Sequence, residues 1–274
     1  MEDVIVIEPG RDERNYWLDL WRYRELFRVL AWRDLAVRYK QTVIGVAWAV
    51  IRPLLTMVVF TVIFGRVAKL PSDGNAPYPL MVLAGLLPWT FFANGLSEAS
   101  NSLVNNANLI SKVYFPRLIV PTATVVVAFV DFLITFAMLV VMMAWYRFLP
   151  DWRILVLPGF VLLAFVASMG PAVWLTSLNV KYRDFRYVIP FIVQFGLYVS
   201  PVGFSSSVVP EEWRLLYSMN PMVGVIDGFR WCLLGGQGRL YLPGLAVSVL
   251  VAAFFLWFGV RRFRNTEKSF ADLI

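Results

Sequence analysis

The sequence predicts an all-α integral membrane protein: six transmembrane helices, an N-terminal amphipathic interface helix, and short re-entrant helices between spans 5 and 6. Three observations carry this. Hydrophobic residues make up 59% of the 274 positions and charged residues only 16%, against about 45–50% and about 25% in ordinary soluble domains. Apolar runs long enough to cross about 30 Å of hydrocarbon recur along the chain. Basic residues, which give a net charge of +7, fall mostly in alternate connecting segments, as they do in cytoplasmic loops of membrane proteins.

Residues 1–43 read as a cytoplasmic N-terminal segment. Its first part, with Glu2, Asp3, Glu8, Asp12 and Glu13, is polar and expected to be loose, and it lacks the basic start and apolar core of a signal peptide. Residues 17–40 predict a helix that does not span, because charges interrupt it every few positions. Tyr23, Leu26, Phe27, Leu30 and Val37 share one face at helical spacing. Tryptophans and arginines elsewhere on it suit a headgroup layer, and a cytoplasmic helix packed on a partner is the alternative.

A transmembrane domain over 44–260 follows, with spans near 44–65, 79–99, 119–143, 154–178, 187–205 and 241–260. Backbone polar groups in lipid must be satisfied internally, and the runs are continuous rather than alternating, so helices are expected and not a β-barrel. The fifth span is shortened if Pro201 and Gly203 end it. Residues 206–240 carry turn signals at Asn220-Pro221 and Gly235-Gly236 around two short amphipathic helices. Residues 261–274 form a cytoplasmic tail. With the N-terminus inside, 17 basic residues lie on the cytoplasmic side and 7 outside, so both termini are expected in the cytoplasm.

Several chemistries are excluded. The chain has no histidine and a single cysteine, Cys232, which removes intramolecular disulfides, His-ligated zinc and Ser-His-Asp triads. No GxxxxGK[ST] loop is present, so the chain has no P-loop. The positive charge follows the membrane pattern, and no nucleic-acid partner is expected.

A few polar residues stand out against the apolar background. Arg52 precedes Pro53 inside the first span, where it either snorkels to the headgroups or faces a cavity and an anionic substrate. Asp131 lies near the middle of the third span and should face a partner. Glu98 ends the second span, and no second carboxylate is expected at the depth of Asp131. The stretches Leu109–Arg117 and Asn179–Arg186 mix apolar and basic residues between spans and suit docking of a cytosolic partner, with an ordinary connecting loop as the alternative. Trp89, Phe92 and other aromatics near span ends fit an interfacial belt, and some would line a sugar path.

The stretch Arg33-Asp-Leu-Ala-Val-Arg38-Tyr39-Lys40-Gln-Thr-Val-Ile-Gly45-Val-Ala-Trp48-Ala-Val-Ile-Arg52-Pro53 resembles the start of ABC-2 type permeases that export bacterial polysaccharides. So do Gly85-Leu-Leu-Pro88-Trp89, Asn108-Leu-Ile-Ser-Lys112-Val-Tyr114-Phe115-Pro116-Arg117, Val180-Lys-Tyr-Arg183-Asp184 and Met219-Asn220-Pro221, in the family's order. The nearest subfamily is that of O-antigen and teichoic acid exporters. Arg52 is a departure, since the family fixes no residue type there.

The resemblance implies a permease, not an enzyme, in the bacterial inner membrane. Its implied partners are a second copy of itself, two ATP-binding cassette subunits, membrane lipid and a polyprenyl-pyrophosphate-linked polysaccharide. No cofactor is expected in this chain, because ATP and Mg would be bound by the partner subunit. The implied substrate path includes Arg33, Arg38, Tyr39, Lys40, Trp48, Arg52, Trp89 and Phe92, with Arg33, Arg38 and Lys40 drawing the pyrophosphate towards the entrance. The implied ATPase contacts are Asn105, Asn108, Ile110, Lys112, Tyr114, Phe115, Pro116, Arg183 and Asp184. Two alternatives share these features: an ABC-2 exporter of another lipid or a drug, and a polytopic enzyme acting on lipid-linked sugars through Asp227 or Glu211.

Overall fold

A computed structural model describes residues 16–40, 45–235, 240–267 and 270. Of the expected loose segment 1–16, residues 1–15 lie outside the described residues, whereas Tyr16 opens a helix; the second glycine of Gly235-Gly236 and, in the tail, residues 268–269 and 271–274 also lie outside them. The fold is all-helical, with no strand among the described residues.

The N-terminal helix is two pieces, α1 (Tyr16–Arg22) and α2 (Arg24–Lys40). Leu30 and Ala31 are buried, and Tyr23, Leu26, Phe27 and Leu35 pack against the core. Val37 was expected on this stripe but is exposed. Eleven residues are three helical turns, so the face begun at Phe27 reaches Arg38 rather than Val37. Trp17, Trp21 and Trp32 point outward.

Among the described residues, five helices are long and apolar enough to cross a membrane: Ala47–Val67, Tyr78–Asn105, Ile119–Trp145, Trp152–Lys181 and Leu242–Glu267. With this set of apolar helices the chain is a multi-pass membrane protein. The first comprises α3 (Gly45–Phe60) and a terminal π-helix, Thr61–Val67, and it runs unbroken through Pro53. α4 (Tyr78–Asn105) is the central pillar: 78% of its span-length window is buried, against 17% for the first span. α5 (Ala107–Lys112) is a short helix that leads into α6 (Ile119–Trp145). α7 (Leu157–Lys181) and α11 (Leu242–Glu267) approach backbone to backbone. A Cβ on Gly259 would lie 2.3 Å from the Gly170 carbonyl oxygen, a small-residue contact of the kind that joins helices where lipid gives no hydrophobic drive.

α8 (Phe185–Val199) covers the expected fifth span but has only 15 residues. At 1.5 Å per residue it is about 22 Å long, short of the roughly 30 Å hydrocarbon core. It ends because Ser200 precedes Pro201, which disfavours helical backbone, and Ser200 is extended at φ −81°, ψ 151°. The two short helices expected in 206–240 are α9 (Glu211–Tyr217) and α10 (Pro221–Leu233). Pro221 opens α10, and the Asn220 side chain accepts from the Met222 amide at 3.0 Å, a normal N-cap.

Candidate functional site

The charged residues collect at two places along α4. Near its C-terminal end, α2 delivers Arg38 between two carboxylates from different helices. Its guanidinium pairs with Glu98 of α4 and, at 2.6 Å, with Asp131 of α6. The Tyr39 hydroxyl donates to the other oxygen of Asp131. The expectation that Asp131 lacks a second carboxylate is corrected, because Arg38 bridges it to Glu98. The cause is the length of α4. It continues six residues past the expected end at 99, so Glu98 lies about 10 Å inside the helix.

The polar residues of that extension do not expose it, because they bond within the bundle. Asn101 donates to the Ser97 carbonyl at 2.8 Å, and the Asn179 amide of α7 donates to the Ser100 carbonyl at 2.9 Å and to Asn101 Oδ1 at 3.0 Å. Burial works against the charge on Arg38. The Glu98 hydrogen bond and the charges of Glu98 and Asp131 outweigh it, and its pKa rises above the ordinary arginine value. Burial, then the bond to Asp131, also raises the Tyr39 hydroxyl.

α2 is tied to the α4–α5 corner as well. Arg33 pairs with its neighbour Asp34 at 2.7 Å and donates to Asn106 Oδ1 at 2.8 Å. Lys40 is exposed. In the following segment Asn105, Asn108, Lys112 and Tyr114 face outward, whereas Ile110, Phe115 and Pro116 are buried and anchor it. Its far end is held by α11: the Glu267 carboxylate accepts from the Arg117 amide at 2.6 Å and from the Tyr16 hydroxyl at 2.9 Å. Arg183 and Asp184 are exposed in the short turn between α7 and α8.

The aromatic candidates separate. Trp48 is exposed, with the Arg52 guanidinium 5.9 Å from its ring centroid. Trp89 is buried and packs against Phe92 at 5.4 Å. It lies under α8, where a Cβ on Gly196 would come within 2.7 Å of its ring. The open aromatic surface is on α8 instead: Tyr187, Phe191, Phe195 and Tyr198 are exposed. Their three- and four-residue spacing in the sequence is the signal that marks this face.

At the other end of α4 stands Arg230 of α10, fully buried. It donates to the carbonyls of Val202 (2.8 Å), Phe204 (2.8 Å) and Met81 (3.2 Å), and its guanidinium is 3.5 Å from Asp73. Asp73 also accepts from Ser205, and Tyr78 donates to the Gly203 carbonyl at 2.6 Å. Gly85 makes room, since a Cβ there would lie 2.9 Å from Arg230 Nη2. Asp227 belongs to this surround, facing Ser206 and Arg230, and burial pushes its carboxyl up to about 6. Glu211 is exposed in the first turn of α9.

The model of the "ABC-2 type transporter" family matches residues 25–234. The chain belongs to the ABC-2 type transporter family. It is similar to an "O-antigen export system permease protein RfbA" of Myxococcus xanthus, 26% identical over 259 residues, covering 93% of this chain and 98% of the relative. Two proteins of the same name from Klebsiella pneumoniae are 28% and 27% identical over 261 and 241 residues, covering 91% and 84% of this chain and 95% and 91% of each relative. In this ABC-2 protein, the segments between α4 and α6 and between α7 and α8 lie at the same end of the bundle as α2.

Proposed function

We propose that this chain is the membrane-spanning permease subunit of an ABC exporter that moves a lipid-linked, O-antigen-like polysaccharide across the bacterial inner membrane. The observation that carries this is the match to permeases of that name along nearly the whole of both chains. The fold supports it: long apolar helices surround a central α4, and an exposed aromatic face on α8 offers flat apolar surface to sugar rings.

In this reading the 44–260 domain crosses the membrane six times, with α8 and residues 200–205 making the fifth crossing and α9 and α10 capping the outer mouth. Both termini are cytoplasmic, and α1 and α2 lie along the inner face. Two copies assemble with two ATP-binding subunits, which bind the ATP and Mg. Asn105, Asn108, Lys112 and Tyr114, with Arg183 and Asp184, meet the ATPase. Ile110, Phe115 and Pro116 set their position.

The mechanism follows from the ties of α2. ATP-driven displacement of α5 pulls on Arg33 through Asn106. It then loads the Arg38 pairs with Glu98 and Asp131, which belong to different helices. Two carboxylates already compensate Arg38, so its role is to hold α2 rather than to take up pyrophosphate. Its release lets α2 and α3 move against α4 and open a path for a head group that hydrocarbon would exclude.

Co-purification with the ATP-binding partner tests this. A complex whose ATP hydrolysis rises when lipid-linked polysaccharide is added is expected. Failure to form a complex, or activity on lipid-linked sugar without any ATPase, would overturn it.

A further inference from the structure

The exposed residues 111–114 hang between two polar ties. At one end, Asn106 accepts from Arg33 of α2 at 2.8 Å. At the other, the Arg117 amide donates to the Glu267 carboxylate of α11 at 2.6 Å, and the Arg117 guanidinium donates to the Glu267 main-chain carbonyl. Arg117 therefore grips α11 twice, through its backbone and through its side chain. The Phe270 ring centroid lies 5.9 Å from the guanidinium and 5.3 Å from that of Phe263. The Tyr16 hydroxyl donates to the second Glu267 oxygen at 2.9 Å.

The two ties differ in stiffness. α6 has no capping side chain of its own, since Leu118 stands at its N-cap without one. The Glu267 carboxylate instead accepts from the amide just ahead of it, at the end of a 27-residue helix where the dipole favours negative charge. α11, which carries that carboxylate, is fixed to α7 where Gly170 and Gly259 bring the two backbones together. α2 is a peripheral helix whose charged ties run from side chain to side chain. A lever moves its loose end only when its other end is pinned.

We propose that Glu267 is a positioning residue for energy coupling: it pins the α6 end of the ATPase-docking segment, so that displacement of that segment reaches Asn106 and α2. This rests on the export reading above. Without Glu267, Arg117 slides, absorbs the displacement and leaves α2 in place.

The test has two arms. In the full-length permease, amide hydrogen exchange of residues 109–117 is measured for wild type, Glu267→Ala, Glu267→Gln and Tyr16→Phe. In the permease–ATPase complex, ATP hydrolysis with added lipid-linked polysaccharide is divided by hydrolysis without it for the same variants. Glu267→Ala should speed exchange at Arg117 roughly tenfold or more, the scale of a lost charge-assisted hydrogen bond. It should also abolish most of the substrate stimulation. Glu267→Gln keeps an oxygen for the Arg117 amide and should restore much of both. Tyr16→Phe leaves Arg117 bonded and should preserve both. Should the alanine variant not fold, Glu267→Asp, one methylene short of the same reach, takes its place with the same expectation. Unchanged exchange in Glu267→Ala overturns the tie. Faster exchange with full stimulation makes Glu267 structural only and overturns the coupling role, as does an equal loss of stimulation in Tyr16→Phe. A wild-type complex without stimulation defeats the export reading and the coupling role together, while the exchange arm still reads the tie by itself.

Discussion

Arg230 and Arg38 are both built into the bundle, about 20 Å apart along α4, and they are held by different chemistry. Arg230 is 3% exposed and gives its protons chiefly to three main-chain carbonyls, with Asp73 at 3.5 Å. Carbonyls belong to the backbone and cannot be withdrawn without unfolding it. Arg38 keeps 27% of its side-chain surface exposed and is held by carboxylates on two separate helices, side chains that rotate away or exchange partners. A carbonyl-bound arginine fixes geometry, and a carboxylate-bound arginine on a peripheral helix makes a joint that can open.

This contrast orders a set of substitutions. Arg230→Met should do most damage, about 3–5 kcal/mol, because it strands buried carbonyls and Asp73. It would be read as collapsed yield and a lower unfolding temperature in detergent, and Arg230→Lys should not rescue it, since one ammonium cannot span the same fan of acceptors. Gly85→Ala brings a methyl group 2.9 Å from Arg230 Nη2 and 3.2 Å from the Val202 carbonyl, and should cost about 1–3 kcal/mol in the same assay.

At the other centre, Arg38→Gln should leave the fold intact, with a loss of about 1–2 kcal/mol for a partly buried network. Transport should fall roughly tenfold. Adding Asp131→Asn should restore part of the stability by removing the stranded charge. Tyr39→Phe and Tyr78→Phe each delete one hydroxyl bond, to Asp131 and to the Gly203 carbonyl. Both should cost about 0.5–1.5 kcal/mol, but only Tyr39→Phe should alter substrate-stimulated ATP hydrolysis. Equal functional effects would erase the distinction between the two ends.

Much of this was legible in the residues. Long apolar runs locate the five long helices, since nothing but a helix satisfies their backbone in lipid. Asn220-Pro221 marks the start of α10 through a local capping bond. What was not legible depends on contacts between distant segments. Glu98, Asn101 and Asn105 look like the end of a span. Asn179 of α7 and Arg38 of α2 satisfy Asn101 and Glu98, so α4 continues. By hydrophobicity alone the inward face of α2 ends on Val37, because valine ranks above arginine. The helical register selects Arg38, and its carboxylate partners make that burial affordable. Trp89 resembles an interface residue until α8 is laid over it through Gly196.

The most direct test is a pair of double-mutant cycles in the assembled complex, nucleotide-free and trapped with ATP. Coupling between Arg38 and Asp131 should be substantial without nucleotide, on the order of 0.5–3 kcal/mol, and should fall when ATP is trapped. Coupling between Arg230 and Asp73 should stay constant. An Arg38–Asp131 coupling that is unchanged by ATP, or an Arg230–Asp73 coupling that falls with it, would contradict the assignment of one joint and one fixed centre.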